Sequence, residues 1–86
     1  MEDRKVAVVT GASRGLGATF ARILAEEGYA VALGARDEQA RERLAAELPT
    51  PTLPCFLDVA DPVSVVEFRE KVIERFGRVD VLVNNA

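Results

Sequence analysis

Four short apolar runs, each parted from the next by a segment with apolar residues at helical spacing, leave this chain few folds to choose from. The first, Val6-Ala7-Val8-Val9-Thr10, is continuously apolar and rich in β-branched residues, as a strand covered on both faces must be. Residues 29–35, the tripeptide Cys55-Phe56-Leu57 and residues 79–83 read as three further strands. Between the first two, Leu16, Phe20, Ile23 and Leu24 form a helical stripe that ends at Gly28. Asp37 reads as the N-cap of a second helix with Ala40, Leu44, Ala45 and Leu48 on one side, stopped by Pro49. Residues 50–54 hold two more prolines and read as a rigid turn. Asp61-Pro62 then opens a third helix, with Val65, Phe68, Val72 and Phe76 on one face as far as Gly77.

The order βαβαβαβ makes a parallel sheet with right-handed crossovers the simplest solution. The predicted architecture is α/β, a Rossmann-type parallel sheet of strand order 3-2-1-4 and the N-terminal half of a doubly wound fold. The first and second helices are expected on one face and the third on the other. Residues 1–86 would then be one nucleotide-binding unit, and the uncovered fourth strand predicts that it is the front part of a longer chain.

Composition narrows the function classes. At 86 residues, 49% hydrophobic and 29% charged, the sequence is that of one soluble globular domain with a thin core. A net charge of -3 opposes a nucleic-acid surface, which needs a basic excess on one face. One cysteine and no histidine exclude an internal disulfide and a soft metal centre, and Cys55 reads as a small buried residue. The charged segment from Met1 to Lys5 leads into too short an apolar run for a signal peptide or a membrane span, so a cytoplasmic protein is expected.

The chemistry lies in Thr10-Gly11-Ala12-Ser13-Arg14-Gly15-Leu16-Gly17, which places glycines in the spacing G-x-x-x-G-x-G between the first strand and the first helix. Here the chain must turn tightly off the strand, admit a pyrophosphate close to its backbone and seat the helix on the sheet. Free N–H groups at the helix start then face the phosphates. The spacing differs from the dinucleotide fingerprint G-x-G-x-x-G and lacks the Gly-Lys-Ser/Thr of a P-loop, which disfavours a triphosphate hydrolase.

With these residues in place, the whole sequence resembles the short-chain dehydrogenase/reductase family. Thr10 to Gly17 match its TGxxxGxG motif, Asp58-Val59 its adenine-contacting acid and neighbour, and Asn84-Asn85-Ala86 the start of its NNAG motif. The glycine turn is similar to that of the 3-oxoacyl-acyl-carrier-protein reductase type. The resemblance implies that Gly11, Ser13, Arg14 and Leu16 contact the cofactor phosphates or ribose, with Gly15 and Gly17 permitting close approach. It also implies that Asp58 accepts from the adenine amino group beside Val59, that Asn85 lies near the adenosine ribose, and that Asn84 holds the central strands together. Apart from the family, Asp58 reads equally as a strand-end or helix-approach carboxylate, and the Asn pair reads better as a plain turn.

The choice of nicotinamide cofactor rests on the end of the second strand, where an acid would bind the ribose 2′-OH of NAD and repel the 2′-phosphate of NADP. In the family register that position is Ala35, and the neighbouring Arg36, with Arg14, can pair with a phosphate. NADP(H) is therefore expected over NAD. Asp37 would be the competing NAD acid if the register slipped by two, but as a helix N-cap it needs no slip.

The family's hydride chemistry uses a serine and a Tyr-x-x-x-Lys pair, and no such pair occurs here: Tyr29 is followed four residues later by Leu33. No catalytic residue and no metal ligand is assigned, and the chain alone is expected to be inactive. The complete protein is expected to transfer hydride between NADPH and a small carbonyl or alcohol substrate, as a homo-oligomer without nucleic-acid or membrane partners. The alternative is a stand-alone nucleotide-binding or regulatory module without catalysis. The extended epimerase branch of the same fold is opposed by the glycine spacing.

Overall fold

The computed structural model describes residues 4–85; residues 1–3 and Ala86, and with them part of the charged N-terminal segment and the last position of the Asn84-Asn85-Ala86 motif, lie outside. The elements follow in the order β1 (Val6–Thr10), α1 (Gly15–Glu26), β2 (Ala30–Ala35), α2 (Glu38–Glu47), β3 (Thr52–Phe56), α3 (Pro62–Phe76) and β4 (Val81–Asn84). The strands form one sheet in the order β3-β2-β1-β4, and all three pairings are parallel. This is the Rossmann-like arrangement expected from the alternation.

β1 and β2 are buried at every residue, and run in register from Val6 opposite Ala30 to Thr10 opposite Gly34. Alternation of side chains across the sheet then sorts the core into two layers. On one face Val9, Val31 and Leu33 meet Ala18, Ala21 and Ala25 of α1 and Leu44 of α2. On the other, Val8, Ala32 and Cys55 meet Phe68 and Val72 of α3. The expected division of the helices between the faces is thus observed, with Cys55 buried as a free thiol.

Four local expectations are corrected. α1 turns Gly17, Ala18, Ala21 and Ala25 to the sheet, while Leu16, Phe20 and Ile23 of the expected stripe are 66%, 38% and 50% exposed and only Leu24 packs partly against the core. Both sets recur every three or four residues, so periodicity could not separate them. A helix lying close over a sheet is seated by small side chains, and its large ones rotate outward.

The prolines before Cys55 do not keep the chain out of the sheet. β3 begins at Thr52, includes Pro54 and ends at Phe56. Pro51 accepts from the Val31 N–H and Leu57 donates to the Ala35 carbonyl, so the odd-numbered positions of this strand face β2. Pro54 opposes Leu33 with its nitrogen turned to the free edge of the sheet, where no donor is needed.

β4 starts at Val81, not 79, because the residues before it are spent on an anchor. Asp80 donates its N–H to the Val6 carbonyl at 2.8 Å. Its carboxylate accepts from the Val6 N–H at 2.8 Å and from Arg78 Nε at 2.9 Å and Nη2 at 2.8 Å. In α3, Asp61 caps as expected, accepting from the Val63 N–H at 3.0 Å. Val65 is 41% exposed, and the buried position beside it is Ser64, whose Oγ accepts from the Asp58 N–H at 2.9 Å.

Candidate cofactor site

All four strands point their carboxyl ends the same way, so the turns after β1, β2 and β3 gather at one edge of the sheet. The turn between β1 and α1 is glycine-built: Gly11 and Gly15 adopt φ of 62° and 61°, a region that side chains disfavour. At Gly17 the constraint is space. A Cβ there would collide with the Gly11 carbonyl oxygen and lie 2.8 Å from Asn85 Nδ2.

α1 differs from the other helices at its start. Asp37 caps α2 and Asp61 caps α3, whereas Arg14 at the N-cap of α1 makes no side-chain bond to the backbone. The first N–H of this helix to find an acceptor is that of Ala18, which reaches the Arg14 carbonyl at 3.4 Å. The N–H groups of its opening turn therefore lie uncapped at the positive end of the helix dipole, next to the strand tips.

A bracing network fixes this turn. Thr10 Oγ1 donates to Asn84 Oδ1 at 3.2 Å and accepts from the Asn85 N–H at 3.0 Å, tying the ends of β1 and β4 together. Asn85 Nδ2 donates to the Gly11 carbonyl at 3.3 Å, and the Ala12 N–H reaches the Gly34 carbonyl at 3.3 Å. Asn84 thus joins the central strands, while the amide of Asn85 is placed against the glycine turn.

Beside the turn opens a cavity of about 780 Å³, lined by Gly11, Ser13 and Arg14, by Ala35, Arg36 and Asp37 after β2, and by Leu57, Asp58, Val59 and Ala60 after β3. It brings together six of the residues expected at a cofactor: Gly11, Ser13, Arg14, Arg36, Asp58 and Val59. Gly15, Leu16 and Gly17 stand next to it in the first turn of α1, with Leu16 turned to solvent, and Asn85 lies behind the turn.

The polar groups of the cavity are engaged to different degrees. Asp58 Oδ1 accepts from the Ala60 N–H at 3.0 Å, and its other oxygen has no protein partner among the described residues. Arg36 likewise has no partner for its guanidinium among them. Asp37 accepts from the Ala40 N–H at 3.0 Å through Oδ1 and from Arg14 Nη2 at 3.3 Å through Oδ2. The Ala40 N–H does most to hold the Asp37 carboxyl below its ordinary value of 3.8; burial opposes it, and the charge of Arg14 adds a smaller lowering.

Sequence reasoning missed Arg41. Its Nη1 donates to the carbonyls of Ala35 and Arg36 at 3.3 and 3.4 Å, which fixes the backbone that carries Arg36. Its position one turn into α2, four residues beyond the Asp37 cap, is the signal that could have found it.

This geometry is matched by sequence: the model of the short chain dehydrogenase family covers residues 5–86. The chain belongs to the short-chain dehydrogenase family. Among its relatives is (+)-neomenthol dehydrogenase of Arabidopsis thaliana, 46% identical over 99% of this chain and 31% of that protein. Another is the 3-oxoacyl-acyl-carrier-protein reductase of Escherichia coli, 42% identical over 98% of this chain and 34% of that protein. A metagenomic short-chain oxidoreductase, solved in complex with NADP, superposes with a TM-score of 0.90 at 40% identity over 95% of this chain and 38% of that one. The chain thus spans about a third of the length of these short-chain dehydrogenase relatives. No described helix is long and apolar enough to cross a membrane.

Proposed function

We propose that this chain is the NADP(H)-binding part of a short-chain oxidoreductase, which as a whole transfers hydride between NADPH and the carbonyl or alcohol carbon of a small molecule. The observation that carries the reading is the uncapped start of α1, cleared by glycine and opening beside a cavity with two arginines on its wall. The residues present fit the cofactor. N–H groups of the first turn suit a diphosphate, the open oxygen of Asp58 suits the adenine amino group, and Val59, 50% exposed, offers an apolar surface to the ring. Arg36 and Arg14 suit a 2′-phosphate, and Ala35 puts no carboxylate in its way. The relative in complex with NADP supports the same assignment.

When bound, NADPH supplies the hydride; the residues of this chain bind and orient it. Ser64 is buried where it accepts from the Asp58 N–H, and Tyr29 lies just before β2, at the end of the sheet away from the cavity, so neither is placed for proton transfer to a substrate there. The sequence contains no Tyr-x-x-x-Lys, and the chain is expected to bind the cofactor without turnover. Residues 1–86 are taken as the N-terminal part of a nucleotide-binding domain in a cytosolic homo-oligomer, on the strength of the family resemblance. The net charge of -3 supports the absence of a nucleic-acid partner.

Titration of the purified protein with NADPH and with NADH tests the assignment, repeated with Arg36→Asp. The substitution should reverse a preference for NADPH. An unmoved ratio of affinities would remove Arg36 from the site and with it the case for NADP(H).

A further inference from the structure

Asp58 is fixed at three points. Its N–H donates to Ser64 Oγ at 2.9 Å, its carbonyl accepts from the Asp61 N–H at 3.0 Å, and its Oδ1 accepts from the Ala60 N–H at 3.0 Å, which leaves Oδ2 as its one polar atom without a partner among the described residues. Residues 58–61 make the last two bonds among themselves, so these shape the loop without tying it to its surroundings. The first bond ties it to the body of α3. Ser64 stands in the opening turn of that helix, where side chains lean back toward the N-terminus, and shares the buried face of Phe68 and Val72 at 5% exposure. It does not line the cavity itself. A hydroxyl on a core-facing position is costly unless its oxygen is used, and here the Asp58 N–H uses it.

We infer that Ser64 is the positioning residue for recognition of the purine base: by holding the Asp58 backbone from within the core it aims the unbonded Oδ2 at the exocyclic amino group, so that the site takes an adenine dinucleotide and rejects its hypoxanthine counterpart. The inference rests on the proposed function, in which Asp58 meets the adenine amino group, and deepens it by naming what keeps that acid in place. An amino group donates to a carboxylate, whereas the carbonyl oxygen of hypoxanthine sets acceptor against acceptor. Such discrimination depends on direction as well as charge, since a hydrogen bond weakens steeply as its angle opens. Without Ser64 Oγ the Asp58 N–H loses its partner and turns toward water, and the carboxylate moves with it.

Binding of NADPH and of its deaminated analogue, in which hypoxanthine replaces adenine, is measured for the purified wild type, Ser64→Ala, Ser64→Thr and Asp58→Ala, with thermal melts alongside. The wild type should favour NADPH at least about tenfold, as for a hydrogen bond to a charged acceptor. Ser64→Ala should bring that preference below about threefold as the bond is misaligned, and Ser64→Thr, which keeps the oxygen, should restore it. In Asp58→Ala the preference should already be gone, and adding Ser64→Ala should not change it further, because Ser64 acts only through Asp58. A merely structural serine would lower the melting temperature and both affinities alike. That result, with the ratio intact in Ser64→Ala, refutes the inference while the cofactor site stands, as does equal binding of the two cofactors by the wild type. If the alanine variant does not fold, Ser64→Cys, close in size and a weaker acceptor, is judged by the same ratio, which should fall in part. If the wild type binds neither cofactor, the proposed function itself fails, and this inference with it.

Discussion

A methyl group on Gly17 would drive into the Gly11 carbonyl and crowd the Asn85 amide, whereas one on Gly15 would meet nothing within 4 Å and suffer only from its positive φ. The two alanine variants should therefore part company. Gly15→Ala should lower stability by about 1–2 kcal/mol, the strain of a left-handed residue. Gly17→Ala should shift the turn itself and weaken NADPH binding by at least roughly tenfold, as overpacking costs of about 1–3 kcal/mol suggest. Cofactor titration alongside thermal melting checks both. Asp80 makes a further prediction. Bonds first from Arg78 and then from the Val6 N–H hold its carboxyl below its ordinary 3.8. A depressed carboxylate stabilises the fold above the unfolded value and loses that contribution as pH falls through the lower folded one. Thermal midpoints should therefore fall on acidification below about pH 4. Asp80→Asn should lower the midpoint at neutral pH and flatten that acid limb. At this scale the sequence was informative where backbone chemistry dictates residue type, as in the glycine turn and the Asp37 and Asp61 caps. It was silent on Arg41 and on the Arg14 to Asp37 contact, because each joins groups that only the packed fold brings together.

Helix ends and strand limits show the same division. Caps are local, so α2 and α3 start where the sequence places them, and Asp61→Ala should cost about 1 kcal/mol. In a domain of this size that is a fall of roughly 4–8 °C in the thermal midpoint, read by circular dichroism. Packing is not local. The buried stripe of α1 is made of alanines and Gly17 because the helix must lie close to the sheet, and the larger residues of the same period turn outward. Pro54 sits within β3 because the edge strand has no neighbour on the side to which its nitrogen turns, a fact of strand order that the tripeptide Cys55-Phe56-Leu57 does not carry.

For the molecule as a whole, alternating strands and helices sufficed to give the parallel sheet, while its strand order and the sides taken by the helices followed from the Rossmann-type fold, since the same alternation also serves the order 2-1-3-4. The core is thin, so single residues weigh heavily in it. Leu33, fully buried at the centre of β2 among side chains of both α1 and α2, should cost about 2–5 kcal/mol on replacement by alanine. Against a total stability of about 5–15 kcal/mol, that loss should bring the urea midpoint down sharply with an unchanged slope. The two layers also hold the glycine turn in register with the ends of β2 and β3, so one rigid edge of the sheet carries the residues proposed for both the phosphates and the adenosine. The most direct test follows the backbone amides of isotopically labelled protein by NMR during titration with NADPH. The Gly15, Leu16 and Gly17 amides should show the largest shifts, with smaller ones at Arg36 and Asp58. Saturation by NADPH with those three amides unmoved would contradict the claim that the open start of α1 holds the cofactor.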